Sequence, residues 1–313
     1  MSHRPHGGSL SVEQDVDLTP YNTYGLPGRA AFLTCVHTVG ELLGACEFAR
    51  SRSLRSAVLG AGSNVVIDES GYDGLLIVNR IQLLERREKN RIEVGAGVDL
   101  AELVGFAQGE GLAGLERLAG IPGSVGGALF GNAGAFGVQI GELVEQVGYV
   151  DPGCRERNAD PGELAFGYRS SAFKRGERTG VIANALLRLT PASPGEITSA
   201  MEETLAARAG KHPAGASCGS YFKNVEADLI EPEVRARLSA WITFNRIPAG
   251  RLIEEAGGKG LRVGGAVVSA HHCNFLLNEG SATGNEVKQL AKHVKKLVRD
   301  RFGIELEEEV RYL

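Results

Sequence analysis

The chain has 313 residues, 43% hydrophobic and 23% charged, with a net charge of −4, enough for two or three packed domains. That balance gives no basic footprint for nucleic acid or an anionic membrane, and no apolar run reaches bilayer-spanning length. The polar start, MSHRPHGGSLSVEQ, lacks an apolar signal core and reads as a flexible leader. Five scattered cysteines (Cys35, Cys46, Cys154, Cys218 and Cys273) without Cys-x-x-Cys spacing fit free thiols in a reducing cytoplasm.

Ala30-Ala31 leads into a strand-like run, Phe32–Val36. Thr38 with Glu41 three residues on is a capping box opening an amphipathic helix over Val39–Ala49. Strand Ala57–Leu59 then enters the turn Gly60-Ala61-Gly62-Ser63-Asn64 and leaves as strand Val65–Ile67, with another strand at Leu75–Val78. A dinucleotide fingerprint would open a helix here and add a third glycine; neither happens. Ile81–Arg91 is charged strand edge, and Asp99 caps a helix over Leu100–Gly109 with Leu103, Phe106 and Ala107 on its apolar face.

The stretch Leu118–Gly137 follows, with seven glycines, four alanines and no charged residue. Such a segment is specified by its backbone, through positive φ or close approach of a ligand to the main chain. Together with Gly60–Asn64 it suggests one extended ligand clamped between two backbone loops; the bland alternative is ordinary tight turns. Beyond it come strands at Leu143–Val150 and Val181–Leu189, separated by the turn Asp151-Pro152-Gly153. Helices are expected over Ile197–Ala209, Leu229–Phe244, Ile253–Ala256 and Glu286–Arg301, the last with Val287, Leu290, Val294, Leu297 and Val298 as its stripe. The tail Ile304–Tyr312 is strand-like.

Three places carry reactive side chains. Arg169, between aromatic and hydroxyl residues in Phe166–Lys174, is either a bidentate carboxylate clamp or a partly covered surface arginine. Ser220, in Ser217-Cys218-Gly219-Ser220-Tyr221, is either a proton donor or nucleophile or a simple loop hydroxyl, and it does not fit a nucleophile elbow. Alternation puts Glu305, Glu307 and Glu309 on one side of the tail, either as a solvated face or with one carboxylate aimed into a site. His271-His272 has no third ligand at zinc spacing, so no metal is expected. The reactivity of Cys218 stays open.

In chain order, Asn22-Thr23-Tyr24-Gly25, Gly60–Asn64, Gly120–Ala128 with Asn132–Ala135, Tyr168-Arg169, Gly219–Asn224, Pro248-Ala249-Gly250, Asn274-Phe275 and Glu309-Val310-Arg311 resemble the UDP-N-acetylenolpyruvoylglucosamine reductase family. The likeness covers about residues 18–313 and fits the shorter-loop branch. It implies an α+β, vanillyl-alcohol-oxidase-type (PCMH-type) FAD-binding fold of two subdomains plus an α+β substrate-binding domain. The expected divisions are a leader at 1–17, FAD-binding subdomains at 18–80 and 81–191, a UDP-sugar domain at 192–300, and a terminal strand at 301–313 bearing the catalytic acid. The implied activity is NADPH-dependent reduction of an enolpyruvyl UDP-sugar to UDP-N-acetylmuramate, a step of peptidoglycan and hence cell-wall synthesis, by a cytoplasmic monomer without nucleic-acid or membrane partners. By resemblance, FAD is held by Gly60, Ala61, Gly62, Ser63, Asn64, Gly123, Ser124, Gly127, Asn132, Gly134 and Ala135. Arg169, Ser220 and Glu309 are the implied catalytic trio, and Lys211 and Asn224 meet the UDP. Two departures stand out: Val225 follows Asn224 where the family commonly has proline, and a longer connection runs from Asn224 to Pro248. The latter predicts an extra helix near Ser220, either a lid or a surface excursion. Other oxidoreductases of the same FAD fold, or a bare flavin-binding module, are the alternatives.

Overall fold

The structure, a computed structural model, describes residues 10–313. The chain forms two compact units. Unit 1 takes the chain through Val16, Ala30–Ala61 and Tyr72–Arg208; unit 2 gathers Asp17–Arg29, Gly62–Gly71 and Ala209–Leu313. Among the described residues, no helix is long and apolar enough to cross a membrane.

Unit 1 holds two sheets. The first has strand order Glu13–Asp17, Arg29–Val36, Tyr72–Asn79, Ser56–Leu59, with Tyr72–Asn79 parallel to both of its neighbours. Leu75, Leu76, Ile77 and Val78 are fully buried, the unbroken apolar run of a strand covered on both faces. Helix α1 (Val39–Ser51) is capped by Thr38, whose Oγ1 accepts the Glu41 N–H at 3.1 Å. It lays Leu42, Ala45 and Ala49 into the same core as Leu75 and Ile77. Of the expected leader, residues 1–9 lie outside the described residues, and Glu13–Asp17 is the edge strand of this sheet.

The second sheet is antiparallel, in the order Glu156–Ala159, Val144–Val150, Val181–Arg188, Arg91–Gly95, Leu84–Arg87. Helices α2 (Leu100–Gly109) and α3 (Val125–Gly131) share its core. Asp99 caps α2 by accepting the Ala101 N–H at 2.8 Å, the role its position in the sequence indicates.

In unit 2, strands Arg262–Val263, Ala266–Val268 and Leu276–Asn278 form a small antiparallel sheet. The helix Gly284–Phe302 belongs to the same unit, burying Val287, Leu290, Ala291, Val294, Val298 and Phe302. Its ends follow local chemistry: a capping box at Thr283 and Glu286, and Gly303 at φ +70°.

Three sequence expectations need correction. Leu229–Phe244 is not one helix: it breaks into a 3₁₀ turn at Ala227–Leu229, a helix at Pro232–Arg237 and a second 3₁₀ turn at Ser239–Trp241. Pro232 restarts the helix, and Phe244-Asn245, both at positive φ, turn the chain back so that Arg246–Ile247 pairs with Val225–Glu226. The segment is thus a closed excursion, with Trp241 edge-on to Phe302 at 6.0 Å. The helix expected from Ile253 starts earlier, at Ala249, where Asn224 Oδ1 accepts the Ala249 N–H at 3.1 Å. In the tail only Arg311–Tyr312 is strand, parallel to Val65–Val66. The inward alternation of Leu306 and Val310 holds nonetheless.

Candidate active site

In unit 1 the two glycine-bearing loops meet. A Cβ on Gly60 would lie 2.1 Å from Ser124 Oγ, so only glycine lets the end of strand Ser56–Leu59 touch the cap of α3. A Cβ on Gly126 would lie 2.8 Å from Ala96 Cβ. The first amides of α3 are engaged within the protein: Val125 N–H with Val98 O at 2.9 Å and Gly126 N–H with Ala96 O at 2.9 Å. These glycines therefore serve close approach and do not leave a helix end open for phosphate. What the stretch offers a ligand is bare main chain, with Gly127 exposed and Ala61 and Gly123 half-buried. Uncharged main chain of that kind lets a flat ring lie close against it.

Asn132 ends α3 at φ +48° and is buried. Its Nδ2 donates to Gly167 O at 2.8 Å and to Gln139 Oε1 at 3.0 Å, and its Oδ1 accepts the Gly141 N–H at 3.0 Å. It thereby ties the glycine stretch to the turn Gly167–Ser170, whose ends exchange backbone hydrogen bonds of 3.0 and 3.1 Å. Arg169 stands at the tip of that turn at φ +52°. The left-handed region costs a non-glycine residue roughly 1–2 kcal/mol, a strain that gathers where a side chain must be aimed. Its Nη2 donates to Gly134 O at 2.7 Å, and Ala135 follows in a two-stranded hairpin with Val138–Gln139.

Arg208, which sequence reasoning did not single out, closes the helix Pro194–Arg208 and reaches Phe136, the residue after Ala135. Its guanidinium carbon is 5.5 Å from the Phe136 ring centroid, and its Nε is buried without a hydrogen-bond partner. Burial, and then the charge of Arg169, holds its pKa below the usual arginine value. Two guanidiniums flanking Gly134–Phe136 make this edge of unit 1 receptive to an anion. The only trace in the sequence is an arginine closing a helix; its place beside Arg169 is a product of the fold.

In unit 2, Gly62 has φ +69°, and a Cβ there would lie 2.0 Å from Tyr21 O. Thr23 N–H donates to Gly62 O at 3.1 Å and Thr23 Oγ1 to Ser217 O at 2.8 Å. Tyr24, fully buried, donates its hydroxyl to Leu276 O at 2.6 Å. The Asn22–Gly25 block is thus the hub of the unit. Gly62→Ala is expected to destabilise unit 2 by roughly 2–4 kcal/mol in urea unfolding, since both backbone overlap and φ oppose it.

Ser220 is exposed, between Gly219 at φ +77° and the fully buried Tyr221. Asn274 fixes this segment on one side: its Nδ2 donates to Phe222 O at 2.8 Å and its Oδ1 accepts the Phe222 N–H at 2.9 Å. The tail holds the other edge, with Glu309 N–H donating to Tyr221 O at 2.8 Å and Lys223 N–H to Glu307 O at 2.9 Å. Asn64 Nδ2 donates to Glu309 O at 3.3 Å, and the Arg311 N–H to Asn64 O at 3.0 Å. Asn64, Ser220 and Glu309 therefore stand on three neighbouring backbone segments. Ser63 is half-buried in the same turn, Asn224 caps the helix beginning at Ala249, and Lys211 is exposed.

Cys218 is 4% exposed, and burial drives its thiol well above the usual range. It is a neutral packing group, since the thiolate is the reactive form. Iodoacetamide at pH 8 should leave Cys218 unmodified in the folded protein and alkylate it in urea. Prompt labelling of the folded chain, read by peptide mass spectrometry, would contradict this.

Residues 30–156, which include the two touching loops, match the family model described as FAD binding domain, which makes this a flavin-nucleotide-binding protein. Residues 211–313 match the UDP-N-acetylenolpyruvoylglucosamine reductase C-terminal domain. The chain is 36% identical over 307 residues to a UDP-N-acetylenolpyruvoylglucosamine reductase of Solibacter usitatus, covering 97% of each. It is 32% identical over 306 residues to that of Lactiplantibacillus plantarum, covering 97% of this chain and 94% of the other. Among solved structures it is similar to the UDP-N-acetylenolpyruvylglucosamine reductase of Thermus caldophilus, with TM-score 0.78, 34% identity and coverage of 97% and 99%. The chain belongs to the UDP-N-acetylenolpyruvoylglucosamine reductase family.

Proposed function

We propose that this chain reduces the enolpyruvyl group of UDP-N-acetylglucosamine enolpyruvate to UDP-N-acetylmuramate in peptidoglycan synthesis, with Arg169, Ser220 and Glu309 performing the chemistry. The observation that carries the site reading is the meeting of the Ser220 segment and the Glu309 tail, backbone to backbone, through Glu309 N–H and Tyr221 O. FAD, when bound, supplies the two-electron chemistry between NADPH and the substrate double bond. Gly60, Ala61, Gly62, Ser63 and Asn64, with Gly123, Ser124, Gly127, Asn132, Gly134 and Ala135, hold the cofactor or shape the loops that do.

Addition of hydride to the β-carbon of an enol ether pushes negative charge toward the substrate carboxylate. Arg169 receives that charge, because a planar guanidinium binds a carboxylate bidentately and is pre-aimed by its strained turn. Ser220 gives a proton to the α-carbon. A serine hydroxyl is a weak acid, so it works only as a positioned donor to a strongly basic centre. Arg169, with Glu309 nearby, polarises the substrate carboxylate, and Lys211 and Asn224 meet the UDP. The enzyme works as a cytoplasmic monomer whose partners are the UDP-sugar and NADPH.

The test is colour. Purified protein should be yellow, bleach with NADPH under anaerobic conditions, and regain its colour on adding the enolpyruvyl UDP-sugar. Yellow protein that NADPH does not bleach would favour a binding module, and bleached protein that the UDP-sugar does not restore would point to another oxidoreductase of the same fold.

A further inference from the structure

We propose that Tyr221, Tyr312 and Glu308 form a hydroxyl-to-carboxylate clasp that sets the position of Glu309 against the Ser220 segment, making them positioning residues for the protonation step. This rests on the reading of Ser220 and Glu309 given above. The tail's regular structure is the two-residue strand Arg311–Tyr312, and the clasp adds side-chain contacts to its backbone pairing. At Glu309 the main-chain N–H donates to Tyr221 O at 2.8 Å and the main-chain O accepts from Asn64 Nδ2 at 3.3 Å.

The side chains add a second constraint to these backbone contacts. Tyr221 has no exposed surface, so its hydroxyl must find a partner. It finds the Tyr312 hydroxyl at 2.8 Å, and Tyr312 in turn donates to Glu308 Oε2 at 2.7 Å. The single proton of the Tyr312 hydroxyl is given to Glu308, so Tyr312 receives from Tyr221, which fixes the direction of the chain. Lys295 Nζ lies 3.5 Å from Glu308 Oε1, and Lys288 Nζ sits 5.2 Å over the Tyr312 ring. Burial raises the ionisation of both tyrosines far from neutrality, so both stay donors. Tyr221 is the residue after Ser220 and Glu308 the residue before Glu309. A single run of two hydrogen bonds thus joins the immediate neighbours of the two proposed catalytic groups.

Anaerobic stopped-flow of the holoenzyme tests this. Tyr312→Phe should slow re-oxidation of reduced flavin by the enolpyruvyl UDP-sugar about 10-fold, the effect of one hydrogen bond of about 1.4 kcal/mol. Reduction by NADPH should stay within about two-fold, while the Glu309 and Arg311 amides exchange hydrogen faster. The double variant Tyr221→Phe/Tyr312→Phe should be no slower than about the worse single one, because both hydroxyls serve one chain. If Tyr312→Phe does not fold, Glu308→Gln, which keeps an uncharged acceptor, should slow re-oxidation roughly 3-fold. Equal losses in both half-reactions, additive effects, or an unchanged re-oxidation rate would overturn the clasp. Glu309→Gln separates the two readings: if it too leaves re-oxidation unchanged, the catalytic assignment itself fails.

Discussion

Ser220→Ala is expected to leave reduction of the flavin by NADPH within about two-fold while slowing re-oxidation by the enolpyruvyl UDP-sugar about 1,000-fold, the scale of a lost, well-placed proton donor. The asymmetry follows from where Ser220 stands. Its hydroxyl is exposed on a segment held from behind by Asn274, so its removal leaves no buried partner unsatisfied and no cavity. Folding and cofactor binding should therefore be unaffected, and the loss should fall on the step that needs a proton. Equal slowing of both half-reactions would refute the role.

Arg169→Met should slow the same step about 100-fold or more, comparable to losing one oriented charge-stabilising group. Two controls sharpen this. Arg169→Lys keeps the charge but not the planar fork, and should recover only a small part of the rate. Arg208→Met removes the second cation beside Gly134–Phe136; it should weaken binding of the anionic substrate more than it slows turnover. A full rate in Arg169→Met would show that the strained turn at Gly167–Ser170 serves only the fold.

Much of this was legible because the informative residues act locally. Thr38 and Asp99 announce helix starts through hydroxyl or carboxylate caps, and the structure uses both that way. The heptad-like stripe from Val287 to Val298 needs only its own periodicity. Glycines at Gly60, Gly62 and Gly126 were visible as unusual, yet the atoms that forbid a side chain there belong to Ser124, Tyr21 and Ala96, far away in sequence. Leu229–Phe244 misled because its apolar spacing suits a helix, while Pro232 and the left-handed pair Phe244-Asn245 fold it into a closed excursion. Arg208, Tyr221 and Tyr312 carried no local signal; their partners are set by tertiary structure alone.

Unit 2 draws three stretches of chain together, two of them, Asp17–Arg29 and Gly62–Gly71, made early in translation. Those pieces emerge from the ribosome long before Arg311 and Tyr312 exist to pair with Val65 and Val66. High contact order of this kind slows folding, so the nascent chain carries an unfinished edge until its synthesis is nearly complete. An excised fragment of 209–313 would inherit the same gap, and dissection of this protein should instead carry all three stretches.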